Sequence, residues 1–249
     1  MDLGIAGKRF LVCGGSRGLG RAVADALLAE GAHVRVVARD VSELASSDFD
    51  ATAADLATEA GVGATIAAAR ADGPLDGILV NSGGPPPGDA LALNDEQWQA
   101  AFRLLVLGPI RLLRALRDDL ADPSAILFVT SSSVRQPIPA LDTSNVLRPG
   151  VAALVKTLAL QLGPRTRVNS LAPGRFDTDR VRELDAARAE RAGVTLEEQR
   201  ASTAASIPLG RYGNPAELGR FAAFLLSPAA SYLSGAAIQL DGAFVTSVP

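Results

Sequence analysis

The chain has 249 residues, 48% hydrophobic and 20% charged, the balance of an ordinary globular domain able to bury a large core. A formal net charge of −3 gives no general pull toward nucleic acid or an anionic membrane surface, and no run of about 18 apolar residues reads as a membrane span. The lone cysteine, Cys13, excludes an internal disulfide and suits a reducing cytoplasm, and Met1 to Arg9 lack the apolar run of a signal peptide.

Short apolar runs alternate with helical patterns along the chain, which predicts an α/β fold: a doubly wound parallel sheet with helices on both faces, in a single domain over 1–249. Strands are expected at Arg9–Cys13, His33–Ala38, Phe49–Ala53, Gly77–Asn81, Ala125–Thr130, Arg167–Leu171 and Ala236–Leu240. Helices are expected at Leu19–Glu30, Leu56–Ala71, Asp95–Leu120, Ser144–Leu162 and Pro215–Leu226, with Pro149 near the first turns of its helix or kinking it. The charged stretch Asp177–Ser206 follows a strand's carboxyl end and reads as a substrate lid or a solvated helical pair. Cys13 and the lone histidine, His33, read as structural.

Directly after the first strand stands Cys-Gly-Gly-Ser-Arg-Gly-Leu-Gly, residues 13 to 20, before a helix opens. Glycines there allow a tight turn and close backbone approach, while the helix N-terminus offers free N–H groups to a pyrophosphate. The loop predicts a dinucleotide-binding Rossmann fold, with Gly14, Ser16, Arg17, Gly18, Leu19 and Gly20 at the phosphates.

The spacing of Gly14, Gly18 and Gly20 resembles that of the short-chain dehydrogenase/reductase family. Asp55-Leu56 resembles the family's adenine-contacting pair, and Asn81-Ser82-Gly83-Gly84 its Asn-Asn-Ala-Gly turn. Arg167-Val168-Asn169, and Pro173-Gly174 with Thr178, look like the strand and loop that hold the nicotinamide end. Leu209-Gly210-Arg211 before Pro215, and Ser234-Gly235 before Asp241-Gly242, resemble its C-terminal signatures. The resemblance implies an oxidoreductase that binds a nicotinamide dinucleotide and self-associates as a homodimer or homotetramer. Its long helices would pair there, with Leu104, Leu105 and Leu112 at the interface and the segment near Leu240–Val248 packing on a neighbour.

NAD-binding folds place an acid after the second strand for the free 2′-hydroxyl, whereas a 2′-phosphate calls for arginine. The acid's position holds Ala38, followed by Arg39, and Arg17 in the glycine loop completes a pair of guanidiniums. NADP is therefore expected ahead of NAD, with Asp40 the best argument for the latter.

The resemblance also implies a Ser, a Tyr, a Lys four residues after it, and an Asn on the preceding helix. Here the serine position is Ser131, but the tyrosine position is Ser144, the lysine position Arg148 and the asparagine position Leu105. An aliphatic hydroxyl is far less acidic than a phenol, and an arginine stays protonated. Ser144 and Arg148 still share one helix face. The sequence resembles a divergent branch, labelled as like 3-oxoacyl-[acyl-carrier-protein] reductase, that lacks the catalytic tetrad. The first expectation is an NADP(H)-dependent oxidoreductase acting on a small carbonyl or alcohol substrate. Ser131 would hold the substrate oxygen, Arg148 would stabilise negative charge, and Ser144 or a water would relay the proton. The alternatives are an NADP(H)-binding sensor or assembly protein without turnover, and a non-redox lyase or isomerase. No metal is expected.

Overall fold

The apolar runs pair side by side, all in parallel, as one sheet in the order β3-β2-β1-β4-β5-β6-β7. The strands are β1 (Arg9–Cys13), β2 (His33–Ala38), β3 (Asp50–Ala53), β4 (Leu75–Val80), β5 (Leu120–Val129), β6 (Thr166–Pro173) and β7 (Ala237–Leu240). This is a computed structural model, and it describes residues 2–44 and 48–247. Strand order reverses between β1 and β4, so a crevice opens beyond their carboxyl ends, where doubly wound sheets bind ligands.

Helices α1 (Gly18–Ala29) and α8 (Pro215–Leu226) cover one face. Val23, Ala24 and Leu27 of α1 and Leu218, Ala222 and Leu226 of α8 are buried with Val12, Val36 and Leu127 of the sheet. Helices α2 (Glu59–Arg70), α4 (Gly108–Leu116) and α5 (Asp142–Leu162) cover the other face, where Leu112, Leu116, Val151 and Val155 bury against Leu11, Ile78 and Ile126. Each such side chain contributes about 1.5–3 kcal/mol on burial.

The helix expected over Asp95–Leu120 is broken. Helix α3 (Asp95–Phe102) passes through a π-helical turn at Arg103–Leu107 into α4, and Leu120 already opens β5. Pro109 has no N–H to donate to the carbonyl four residues back, which explains a ladder that widens just before it. Helix α2 starts at Glu59 instead of Leu56, because Asp55 accepts from Ala57 N–H and Thr58 caps Gly61 N–H at 3.0 Å. Pro149 lies within α5, on an exposed face.

Leu105 and Leu112 are 2% and 0% exposed, so they belong to this chain's own core rather than to an interface. The exposed apolar side chains of α3 and α5 are instead Phe102, Val146 and Leu160. The segment expected at an interface ends at Val248, outside the described residues.

Candidate active site

Gly14 follows β1 with φ +66°, and a Cβ there would stand 2.0 Å from the carbonyl oxygen of Asn81. Asn81 Nδ2 in turn donates to the Gly14 carbonyl at 3.0 Å, locking the β1 and β4 ends together. Gly20 lies beneath this loop, where a Cβ would stand 2.1 Å from the Gly14 oxygen. Helix α1 begins without a side-chain cap and without an acid in its first turn, so its leading N–H groups are left for a ligand. A cradle with no room for side chains, ending in unpaired N–H groups, fits a pyrophosphate.

Arg17 and Arg39 are exposed, their guanidiniums have no hydrogen bond or ion pair among the described residues, and both line the crevice with Ala38 and Asp40. Asp40 accepts from Ser42 N–H at 2.9 Å. That bond, the Ser42 hydroxyl and the nearby Arg17 charge hold its carboxyl below the usual carboxylate range. Asp55, Leu56, Asn81, Gly83 and Gly84 continue the wall, and Pro173, Gly174 and Thr178 face them from the end of β6. Thr178 caps helix α6 (Asp179–Ala192).

Beyond β5, Ser131 Oγ accepts from Ser133 N–H at 3.1 Å. Ser133 Oγ lies 3.2 Å from Ser144 Oγ, and both hydroxyls are buried. Arg148, one helical turn after Ser144, is 7% exposed and donates to the carbonyls of Val129 and Gly83 at 2.6 Å each. Its Nε is buried without a partner among the described residues, and burial pushes its pKa down to about 10. The guanidinium therefore remains charged at neutral pH, with donors to spare beyond the two carbonyls.

All of these residues except Gly20, Ser42 and Ser133 line a single cavity of about 1110 Å³. The cavity brings together expected residues from six strand ends and two helices, α1 and α5. Of the expected lid at 177–206, α6 lines the cavity through Arg180, Val181, Leu184 and Arg188, while helix α7 (Leu196–Ser206) braces it from behind. Arg180 also donates to the Pro85 carbonyl at 3.0 Å, joining α6 to the proline run at 85–87.

Neither tyrosine lines the cavity. Tyr212 is not in the cavity wall: its hydroxyl donates to Asp185 at 2.8 Å, and burial raises its pKa. Tyr232 is fully exposed. Asp142 accepts from Ala90 N–H and Asn145 and lies outside the wall. Cys13 is fully buried, with its thiol pushed up to about 12 by burial, and His33 is exposed at the opposite end of β2.

Sequence reasoning missed Ser133, Arg180, Arg188, Phe244 and Val245. For Ser133 the signal was present in the triple serine 131–133. For the others, only the fold decides which side chains of α6 and of the C-terminal segment turn inward.

The family described as Enoyl-(Acyl carrier protein) reductase matches residues 14–244. A Rhamnolipids biosynthesis 3-oxoacyl-[acyl-carrier-protein] reductase of Pseudomonas aeruginosa is 34% identical, over 96% of this chain and 97% of that protein. A Cyclic-di-GMP-binding biofilm dispersal mediator protein of Escherichia coli is 29% identical, with 96% and 97% covered. The crystal structure of L-sorbose reductase from Gluconobacter frateurii, complexed with NADPH and L-sorbose, superposes with a TM-score of 0.93 at 30% identity, and both chains are fully covered. The glycine loop, the parallel sheet and these matches along nearly the whole length agree, and the chain belongs to the short-chain dehydrogenase/reductase family.

Proposed function

We propose that this protein is an NADP(H)-dependent oxidoreductase acting on a carbonyl or alcohol substrate with an atypical proton-handling set. One observation carries the reading: Ser131, Ser144 and Arg148 share a cavity with the glycine loop and with the unpaired Arg17 and Arg39. The NADPH-bound sorbose reductase and the curated reductase relative support the same chemistry. Bound NADPH supplies the hydride.

Gly14, Gly18 and the α1 N-terminus would hold the pyrophosphate, and Arg17 with Arg39 the 2′-phosphate. Asp55 and Leu56 would flank the adenine, while Asn81, Gly83, Gly84, Pro173, Gly174 and Thr178 would enclose the nicotinamide half. Ser131 Oγ already accepts a backbone N–H, which leaves its own proton to donate to a substrate oxygen. The buried Ser133–Ser144 hydroxyl pair extends this arrangement inward. The charge of Arg148 favours negative charge developing on the substrate oxygen in a desolvated pocket. Helices α6 and α7 would act as the lid of a single domain. We further propose a cytoplasmic homodimer or homotetramer, for which the exposed Phe102, Val146 and Leu160 provide apolar surface. No helix among the described residues is long and apolar enough to cross a membrane.

The test is NADPH oxidation across a panel of ketones and aldehydes, repeated with Ser131→Ala. The expected result is turnover that falls by about 100-fold or more in the variant, the scale of one general acid. Inertness across the panel with both NADPH and NADH would overturn the reading.

A second reading, cofactor binding without turnover, rests on the same substitutions: the cavity wall contains no tyrosine and no lysine. The relative named for cyclic-di-GMP binding supports it. It expects tight NADPH binding, no hydride exchange, and no functional loss in Ser131→Ala.

A further inference from the structure

Helix α6 turns Val181, Leu184 and Arg188 into the cavity at i, i+3 and i+7, one face of the helix, and Phe244 and Val245 line the same cavity. The other arginines of α6 and α7 are all engaged. Arg180 donates to the Pro85 carbonyl and lies 3.8 Å from Glu183; Arg182 pairs with Asp177; Arg191 donates to the Ala187 carbonyl. Arg200 pairs with Asp177 and Asp185. Arg188 alone among them has no hydrogen bond or ion pair to any described residue. It is half-buried, and burial pushes its guanidinium pKa down, helped by the like charges of Arg175 and Arg191. Asp185 is the acid whose charge acts on it, but its oxygens already accept from Arg175, Arg200 and the Tyr212 hydroxyl, and Glu183 in the same wall lies 3.8 Å from Arg180.

A partly desolvated cation in the wall of a ligand cavity, with its neighbouring acid fully subscribed, is a site for an anion. Arg39 follows β2 and Arg17 acts on Asp40 beside it, and the proposed function gives both to the cofactor's 2′-phosphate rather than to this task. We propose that Arg188 anchors a carboxylate on the substrate, which makes the substrate an oxo acid or its hydroxy acid rather than a neutral ketone. The planar fork of the guanidinium matches a carboxylate with two parallel hydrogen bonds. The apolar Val181, Leu184, Leu141 and Ile138 in the same wall suit the carbon chain between the carboxylate and the reacting carbonyl. The inference rests on the reading of this cavity as a carbonyl-substrate site.

The test is calorimetric titration of the NADP⁺-saturated protein with linear oxo acids of about three to eight carbons and with their methyl esters. At least one acid should bind about tenfold or more tightly than its ester, and Arg188→Met should bring that ratio close to one. NADP⁺ affinity should stay within about twofold of the parent, and Arg188→Lys should keep part of the preference because the charge remains. If Arg188→Met does not fold, Arg188→Lys must still lower the acid-to-ester ratio several-fold. An absence of acid preference in the parent, a preference that survives both variants, or a loss of NADP⁺ affinity in them would each overturn the proposal. NADPH consumption, followed in parallel, separates the two inferences. Acid preference without turnover keeps the anchor and sinks the redox reading; turnover of neutral ketones without acid preference does the reverse.

Discussion

Arg148 stands where the sequence resemblance leads one to expect a lysine, and its surroundings explain what a guanidinium does there that an ammonium would not. Two of its nitrogens bridge the carbonyl of Val129, at the end of β5, and that of Gly83, in the turn after β4. A lysine brings one nitrogen and cannot span both acceptors with the same geometry. Arg148→Lys should therefore lose one charged hydrogen bond, about 1.5–3 kcal/mol in urea unfolding. The pH dependence follows from the direction of the shift. Burial lowers the folded pKa from the ordinary guanidinium value to about 10, so folding favours the neutral form and the charge costs stability at every pH below about 10. That cost is relieved only as pH rises from about 10 toward the unfolded value. The stability difference between parent and Arg148→Met, which carries no titratable group at this position, should then stay flat from about pH 6 to 9. A slope across that window would mean that another group titrates with Arg148.

At the scale of elements, the β1–loop–α1 unit depends on two glycines for different reasons. Gly14 needs φ +66° and closeness to Asn81, whereas Gly20 sits in a helix with ordinary geometry and lacks only room. Gly20→Ala should thus leave the backbone conformation allowed but force the Gly14 carbonyl and the Asn81 amide apart. The expected outcome is an NADPH affinity lowered by about tenfold or more with α-helical content unchanged, read by fluorescence titration and circular dichroism. Native affinity in Gly20→Ala would show that the loop has slack the structure does not suggest. This unit was fully legible in the sequence, because a strand, a glycine turn and a helix start leave a local signature. The shared face of Ser144 and Arg148 was legible through their i, i+4 spacing on α5, and the approach of Ser131 through the family resemblance. The break at Gly108-Pro109 was overlooked, since the apolar period runs on through the π-helical turn and hides it. Leu105 and Leu112 were assigned to an interface for a related reason: period alone cannot tell a core face from a contact face.

Across the whole molecule, the position of α6 over the cavity depends on side chains that converge from distant parts of the chain. Asp185 is completely buried and accepts from Arg175 after β6, Arg200 on α7 and Tyr212 before α8, with Arg200 also 4.4 Å from the Tyr212 ring centre. Asp177 holds Arg182 and Arg200 on the outer side. Arg182 and Arg200 lower the Asp177 carboxyl pKa, so its contribution is present above the unfolded value and disappears only as pH falls below the usual carboxylate range. The clasp should therefore hold across the neutral and mildly acidic range. Removing the buried acid is a different matter. Asp185→Asn keeps the shape but strands the Arg175 charge, while Arg200 keeps Asp177, a loss of about 3–5 kcal/mol for a broken buried pair. Because α6 touches the sheet less than α1 or α5 does, this loss should open the lid locally before it unfolds the domain. Hydrogen exchange should quicken over residues 179–206 in Asp185→Asn while β1, β4 and β5 keep their protection, and NADPH affinity should fall less than substrate affinity. Uniform deprotection of sheet and lid together would mean instead that α6 and α7 are part of the cooperative core, and that access to Arg188 is fixed rather than gated.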